Sequence, residues 1–315
     1  MSSSADPSST CSSNLSPLFT REALTDIEAF LASDDENIEL HTRGGRNVKS
    51  TNFCTGLRNR KLAHGETGQR SIILFHDERN LQRLEAQDKA SEFIPVYNGS
   101  VLYRGPNRTE EETREKFASV IREFEASDEA AAIAALVKTN LKGCTVNKVI
   151  VFGLGTIGYI RHKRHDHSFY EHAAARVVAR AAQEVSSSQV EPILAQDPFY
   201  TTVCKKVLAE FSIETIDGFG AKGFCLIDDN TIVIGHHPSF PLREIIADMG
   251  RPALISMRAQ GPVPTPKHLA NLYNRRADVD SVRSRKMLEE YHGGSLPKQK
   301  VFSDNIWYVR KTSAN

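Results

Sequence analysis

The sequence predicts an α/β fold: a Rossmann-like, mostly parallel sheet flanked by helices, with a helical N-terminal extension and a C-terminal edge strand. Three observations support this prediction. Apolar runs alternate with helical patterns between residues 146 and 258, a glycine-rich turn follows the first run, and runs such as KVIVF and TIVIG are continuously apolar. The alternation indicates βαβ units, whose right-handed crossovers lay strands in parallel. Continuous apolar strands are typical of a sheet covered by helices on both faces.

The chain begins with a serine-rich stretch, residues 1–16, that is expected to be disordered because it has little apolar surface to bury. Residues 17–145 form a predicted N-terminal extension. Its first helix should span about residues 21–32, with Thr20 as the cap and apolar residues on one face.

The rest of the extension contains a basic stretch, a strand and two helices. Residues 40–65 contain no acidic residue and four glycines, which favours a loop. A β-branched and aromatic run at 71–75 predicts a strand. Thr109 and Glu112 have capping-box spacing and open one helix, and Asp128 caps the next.

The predicted core covers residues 146–258, and a tail covers 259–315. Ser168 and Glu171 again have capping-box spacing and open a helix that extends to about residue 185. The core strands are expected at 148–155, 190–198, 213–217, 231–238 and 253–257. The other core helices are expected at 201–211 and 242–250. In the tail we expect helices at about 266–276 and 280–292, and an edge strand at 304–311.

Composition limits the classes of function. The chain has 315 residues and a formal net charge of +1, which argues against strong non-specific attraction to nucleic acid or anionic lipid. Its five cysteines are dispersed and form no CxxC pair, as is typical of reduced thiols in the cytosol or nucleus. The longest apolar run, residues 130–137, is too short for a bilayer, and no secretory signal is visible. We therefore expect a cytoplasmic or nuclear protein without membrane attachment.

The glycine turn has the pattern Gly153-x-Gly155-x-x-Gly158, directly after the first core strand. Such glycines let backbone amides approach a pyrophosphate or a carboxylate. A dinucleotide fits poorly, because the predicted helix begins about ten residues after Gly158 and the next strand-terminal acid, Asp197, lies 42 residues beyond Gly155 instead of about 20. S-adenosylmethionine or another nucleotide-like ligand is the candidate here, and a purely architectural turn is the alternative.

Asp197 follows the second strand of the predicted parallel sheet. At that position an acid can accept hydrogen bonds from a ribose diol. Because Pro198 comes next, the alternative is a turn or cap residue.

His236 and His237 follow a later strand and should lie at the same sheet edge. Either imidazole is a candidate general base or ligand contact. Adjacent residues of a strand point to opposite faces, so the two are not expected to reach one site. Structural roles are the alternative.

A second group of histidines lies in the segment RHKRHDHSFYEH. These residues are His162, His165, His167 and His172. No cysteine lies nearby and the spacing matches no zinc pattern, so no metal site is predicted. A solvated or phosphate-contacting loop is the expectation.

The order of motifs in the second half resembles the SRR-like family, named for sensitivity to red light reduced. The resemblance rests on VFGLGTIG, EHAAARVVA, EPILAQDPFYTTVCKKVL, TIVIGHHPSFPLREIIA and ALISM, within about residues 146–258. It implies a Rossmann-like domain with a regulatory role in circadian clock genes, light responses and heme biosynthesis, or in microtubule stability. It supplies no catalytic triad or cofactor, and it points to Gly153, Gly155, Asp197, His236 and Pro238 as the family-like crevice.

The leading hypothesis is therefore a regulatory protein of SRR-like type that retains a nucleotide or small-molecule crevice. One rival is an S-adenosylmethionine-dependent, methyltransferase-like enzyme with His236 or His237 as base. The other is a non-enzymatic module that binds an unidentified protein partner through its tail or basic loop. Nucleic acid is not expected as a partner.

Overall fold

The computed structural model describes residues 16–41, 47–52, 68–81, 95–103, 108–159, 166–236, 238–261, 278, 280–296 and 300–311. Four sequence predictions lie wholly or mostly outside these residues. They concern the serine-rich head, most of the basic stretch at 40–65, the tail helix at 266–276, and His237.

The helices of the described residues are α1 (Arg21–Ala32), α2 (Glu110–Glu125), α3 (Asp128–Asn140), α4 (His167–Val185), α5 (Thr202–Glu210), α6 (Lys222–Cys225), α7 (Leu242–Met249) and α8 (Val282–Leu288). Six of these eight helices lie close to predicted positions, α6 was not predicted, and α8 is shorter than predicted. None of the helices within the described residues is both long and apolar enough to cross a bilayer.

The strands form one large sheet and two hairpins. The hairpins are β1 (Asn37–His41) with β2 (Asn47–Thr51), and β3 (Gly68–Phe75) with β4 (Val96–Tyr103). The strands of the large sheet are β5 (Lys148–Phe152), β6 (Ile193–Gln196), β7 (Ile213–Thr215), β8 (Thr231–Gly235), β9 (Leu254–Arg258), β10 (Tyr291–Gly294) and β11 (Asn305–Arg310).

The seven-stranded sheet has the order β10-β11-β9-β8-β5-β6-β7. Its five strands from β7 to β9 are parallel, β11 runs antiparallel to β9, and β10 runs antiparallel to β11. The chain adds β6 and then β7 on one side of β5, and then crosses over to add β8 on the other side of β5. This doubly wound arrangement confirms the predicted Rossmann-like α/β fold and places the topological switch point between β5 and β8.

Two hydrophobic cores lie on opposite faces of the sheet. Along β5, Val149 and Val151 pack into one core while Ile150 and Phe152 pack into the other, as the two-residue period of a strand requires. Helices α2, α3, α4 and α5 cover the first face. Helices α1, α6, α7 and α8, together with the β3–β4 hairpin, cover the second.

The helix caps agree with the sequence in two cases. The Thr20 side chain caps α1, and Thr109 and Glu112 form a reciprocal capping box on α2. The α3 cap is Ser127 and not Asp128, which lies in the first turn.

The capping box predicted for Ser168 and Glu171 is wrong. Helix α4 starts earlier, after Asp166, and no side chain caps it. Glu171 lies on the buried face of the helix. Spacing alone could not distinguish a capping glutamate from one that faces the sheet.

Three further predictions need correction. The loop expected at 40–65 contains a strand, β2, because its residues pair antiparallel with β1. The helix expected at 280–292 ends at Leu288, and Tyr291–Gly294 forms β10. The predicted C-terminal strand forms as β11, but β10 covers its outer side, so it is not the edge. Trp307 and Tyr308 are both buried, on opposite faces, as expected for an interior strand.

Candidate functional site

The glycine turn and Asp197 meet at the carboxyl edge of the parallel strands. Gly153 and Gly155 have φ of 71° and 74°, a conformation that suits glycine. The Gly155 N–H donates to Asp197 Oδ2 at 2.8 Å. The structure thus brings together two turns that the sequence places 42 residues apart. That they bind a ligand stays a prediction.

Asp197 also organises its own turn. Its Oδ1 accepts a hydrogen bond from the Phe199 N–H at 2.8 Å, and its backbone carbonyl accepts one from Tyr200 at 3.3 Å. The residue is buried. Its carboxylate therefore holds both the glycine loop and the Pro198 turn. Asp197 thus has the role of a turn residue, which was the alternative to ligand binding in the sequence analysis.

The three glycines of the motif have different surroundings. A Cβ at Gly153 would lie 3.4 Å from the His236 carbonyl oxygen, and one at Gly155 would lie 2.7 Å from Ser168 Oγ. A Cβ at Gly158 would lie 2.7 Å from Thr201 Oγ1, at the start of α5. Gly158 thus serves close packing against a helix, the role that the third glycine of such turns has elsewhere.

His236 lies across the switch point from the glycine turn, just after β8. Its Nδ1 lies 3.4 Å from Asn305 Oδ1, and its Nε2 lies 3.5 Å from Glu171 Oε1. The Asn305 amide nitrogen donates to Gly235 O and Ser256 Oγ, so its oxygen faces the imidazole. Since that oxygen only accepts, the geometry assigns a proton to Nδ1 and directs Nε2 at the carboxyl of Glu171.

Glu171 is a site residue that the sequence reasoning missed. Burial, and secondarily the negative charge of Asp197, raise the pKa of its carboxyl to about 8. At neutral pH it is mostly a neutral acid that can donate a hydrogen bond to His236. One signal was available: Glu171 shares the helical stripe of Ala174 and Val178, both predicted to face inward.

A second hydrogen-bonded histidine, His172, pairs with Tyr200, which interacts electrostatically with Asp197 and Glu171. His172 Nδ1 lies 2.5 Å from the Ser168 carbonyl oxygen, and its Nε2 lies 2.7 Å from the Tyr200 hydroxyl. A carbonyl only accepts, so Nδ1 carries the proton and the Tyr200 hydroxyl donates to Nε2. Burial lowers the pKa of His172 to about 4, which keeps the ring neutral. His172 is thus a packed, hydrogen-bonded core residue.

The other histidines of that segment fall differently. His167 is exposed at the start of α4, and His162 and His165 lie outside the described residues. Among the residues that the structure does describe, no group of His, Cys, Asp and Glu is arranged to hold a metal ion.

The chemistry of the rim is acidic. Asp197 and Glu171 are both buried and interact electrostatically, and the Gly155 amide that could face a pyrophosphate is occupied by Asp197. The negative charge of Asp197 repels phosphate, while oxygens of both carboxyl groups can accept hydrogen bonds from hydroxyls and amines. The arrangement suits a ligand with hydroxyl or amine donors better than the diphosphate of a dinucleotide.

Three comparisons with known proteins bear on identity. Residues 117–255 match the model of the SRR1 domain. No curated protein matches the chain.

Two solved structures show weak similarity. A Corynebacterium glutamicum protein aligns with a TM-score of 0.34 at 12% identity, over 64% of this chain and 91% of its own. A precorrin-6y C5,15-methyltransferase from Geobacter metallireducens aligns with a TM-score of 0.28 at 14% identity, over 56% of this chain and 85% of its own. The family match is the informative result: residues 117–255 of the chain, which include β5 to β8 and the first two residues of β9, match the SRR1 domain.

Proposed function

We propose that the SRR1 domain binds a small ligand of nucleoside type, with an adenosyl compound such as S-adenosylmethionine as the first candidate, in the crevice beside Gly155. One observation carries the proposal. The buried Glu171 carboxyl lies 3.5 Å from His236 and interacts with Asp197, at the switch point of a doubly wound sheet. Open α/β sheets bind ligands at this place, and buried groups with shifted pKa values gather at functional sites.

The polarity of the rim supports a nucleoside over a dinucleotide. Asp197 and Glu171 together offer acceptor oxygens to the two hydroxyls of a ribose, whereas a diphosphate would meet two carboxyl groups. Gly153 and Gly155 supply the left-handed backbone that brings the turn to the Asp197 carboxylate at this rim.

A regulatory role for this ligand is part of the proposal. The SRR-like resemblance implies control of clock genes, light responses or heme biosynthesis in the cytoplasm or nucleus. A protein that controls such processes by sensing a metabolite needs a crevice whose occupancy changes its contacts with a protein partner. The ligand would then set the activity of the regulator.

A methyltransferase-like activity is a second candidate, and the strand order favours it. Numbered along the chain, the large sheet has the order 3-2-1-4-5-7-6 with only the seventh strand reversed. This order is that of the large class of S-adenosylmethionine-dependent methyltransferases. The Glu171–His236 pair would then take the proton of the nucleophile that receives the methyl group. Because a fold hosts many functions, this candidate needs its own test.

Titration calorimetry on the full chain tests the ligand proposal. The probes are S-adenosylmethionine, S-adenosylhomocysteine, NAD, ATP and heme. We expect saturable binding of an adenosyl compound, a loss of at least tenfold in affinity for Gly155→Ala, and unchanged affinity for Gly143→Ala. Gly143 is a matched control because it also has positive φ, 79°, but has nothing within 4 Å of its Cβ position. Absence of saturable binding by every probe would reject the proposal.

The second candidate is tested separately with methyl-labelled S-adenosylmethionine. Transfer of label to fractionated protein, RNA or small molecules by the wild type, and loss of transfer in Glu171→Gln and His236→Asn, would support it. Tight binding of S-adenosylmethionine without transfer of the methyl label to any fraction would support the ligand-sensing role and reject the methyltransferase.

A further inference from the structure

A glutamate from outside the residues that match the SRR1 domain is buried in the loop that follows β7. Glu28 lies on the buried face of α1 and is 6% exposed. Its carboxylate accepts hydrogen bonds from the N–H groups of Phe219 at 2.9 Å, Ala221 at 2.7 Å and Lys222 at 3.2 Å. Bonds to a charged acceptor are stronger than bonds between neutral groups, so this carboxylate holds the loop firmly.

Two glycines shape the loop around the carboxylate. Gly218 and Gly220 flank Phe219 and have φ of 124° and 117°, which other residues rarely adopt. A Cβ at Gly218 would lie 2.6 Å from Glu28 Oε2. Turns of this kind can direct several backbone N–H groups toward one anion. Here the anion is a side chain of the protein itself.

The side chain of Gln196, the last residue of β6, ties the same loop to the parallel sheet. Gln196 is 8% exposed. Its amide nitrogen donates to the Gly220 carbonyl oxygen at 2.7 Å, and its amide oxygen accepts from the Gly223 N–H at 2.7 Å. The Gln196 amide and the Glu28 carboxylate therefore hold the same short stretch of chain, residues 219–223.

Gln196 also contacts the glycine turn of the rim. Its backbone carbonyl accepts a hydrogen bond from the Gly153 N–H at 3.2 Å. The next residue is Asp197, whose carboxylate accepts the hydrogen bond from Gly155. A continuous series of hydrogen bonds and short backbone steps therefore joins Glu28 on α1 to the rim of the proposed crevice.

Helix α1 has other anchors besides Glu28. Its apolar side chains pack into the second core. At its start, the Arg21 guanidinium donates to the Met249 carbonyl oxygen at 2.9 Å. Just before it, the Phe19 N–H donates to Asp248 Oδ2 at 3.0 Å. Loss of the Glu28 charge should therefore change the loop after β7 without releasing the helix.

We propose that Glu28 is a positioning residue for the rim: it fixes the loop after β7, and the loop, through Gln196, fixes the glycine turn and Asp197. The crevice is then completed by a helix outside residues 117–255. Because a coupling free energy acts in both directions, a ligand that tightens the rim also tightens the contact of α1 with the loop. This last step rests on the proposed function and makes α1 the element that responds to the ligand.

Hydrogen exchange at individual glycine amides of the full chain, labelled with 15N-glycine and followed by NMR, tests the positioning role. Gly223 reports on the loop, and Gly153 and Gly155 report on the rim. Gly250, at the end of α7 beside the Arg21 anchor, reports on the rest of the fold. The N–H groups of all four glycines donate hydrogen bonds, so their exchange is slowed in the folded protein.

Glu28→Gln should loosen the loop first and the rim second. The variant loses the charge and turns an NH₂ group toward backbone donors. We expect exchange to become about tenfold faster at Gly223, where bonds to a charged group are lost nearby, and about threefold faster at Gly153 and Gly155, which are reached through neutral bonds. Exchange at Gly250 should not change.

Two further variants keep the test sharp. Glu22→Gln removes an exposed carboxylate from the same helix, so it is the matched control and should exchange as the wild type does at all four glycines. Glu28→Asp keeps the charge on a shorter side chain and should give smaller effects in the same order. It replaces Glu28→Gln in the test if that variant does not fold.

Two outcomes would overturn the proposal. Faster exchange at Gly223 with wild-type exchange at Gly153 and Gly155 would show that the rim is fixed without the loop. Equal acceleration at all four amides, Gly250 included, would show that Glu28 acts only through global stability.

A titration with S-adenosylmethionine separates this proposal from the proposed function. If the wild type binds it, the affinity should be about threefold lower in Glu28→Gln than in Glu22→Gln, matching the effect on the rim amides. Unchanged affinity would overturn the coupling to the ligand. Absence of binding by the wild type would reject the proposed function, whereas the amide exchange tests the positioning role without any ligand.

Discussion

The backbone N–H of Gly155 donates to the carboxylate of Asp197 across 2.8 Å, and this bond joins the turn after β5 to the turn after β6. A charge-assisted bond of this kind is stronger than one between neutral groups. It fixes the glycine turn at the rim and leaves the same carboxylate able to accept further donors. The site therefore does not depend on a ligand to assemble.

Gly155 tests how closely the turn is fitted. Gly155→Ala and Gly143→Ala should each cost about 1–2 kcal/mol, because both glycines have a left-handed backbone. Gly155→Ala should cost more, since its new Cβ would lie 2.7 Å from Ser168 Oγ. Urea denaturation gives the difference. The double variant Gly155→Ala/Ser168→Ala should recover part of it, and no recovery would contradict the steric explanation.

Asp197→Asn tests the charge-assisted bonds at the rim. The asparagine amide turns an NH₂ group toward either the Gly155 or the Phe199 N–H, both of which need an acceptor. We expect a loss of about 1–3 kcal/mol in the free energy of unfolding, measured by urea denaturation at pH 7. Asp217→Asn, at an exposed ion pair, should change stability little. Equal effects of the two substitutions would count against the role assigned to Asp197.

Glu171 should make stability depend on pH. Its pKa is raised from 4.5 to about 8 in the folded protein, so its contribution is complete below pH 4.5 and is lost as pH rises through 8. The loss is on the order of 4 kcal/mol. Glu171→Gln, which cannot ionise, should lose less stability than the wild type between pH 5 and pH 8.5 in urea titrations.

The comparison needs a control because the pKa of Glu244 is also raised, so Glu244 adds to the pH dependence of stability in every variant. Glu184→Gln changes an exposed glutamate of the same helix and should keep the full wild-type slope. If Glu171→Gln and Glu184→Gln gave the same slope, Glu171 would not be the neutral acid inferred here.

Tyr200→Phe tests the hydrogen bond between the Tyr200 hydroxyl and His172 Nε2. Removal of the hydroxyl leaves the buried Nε2 of His172 without its donor, which should cost about 1–3 kcal/mol. Tyr170→Phe removes a hydroxyl that donates to Glu123 at a more exposed position, and should cost less than 1 kcal/mol. Thermal unfolding at pH 7 measures both, and a larger effect at Tyr170 would be the contrary result.

Much of the fold could be predicted because its signals are local. Continuous apolar runs marked β5, β6, β8 and β9, and cap residues such as Thr20 marked where helices start. The edge strand β10 has no such local signal, since two of its four residues are glycines and only its pairing with β11 defines it as a strand.

The site divides in the same way. The sequence by itself determined that Gly153, Gly155, Asp197 and His236 follow apolar strands, because side-chain periodicity and glycine content are local properties. Only the tertiary structure decided that Glu171 faces His236 instead of capping its helix, and that Glu28 meets Phe219 across 191 residues. Burial and charge pairing depend on which elements pack together, and no local pattern records that choice.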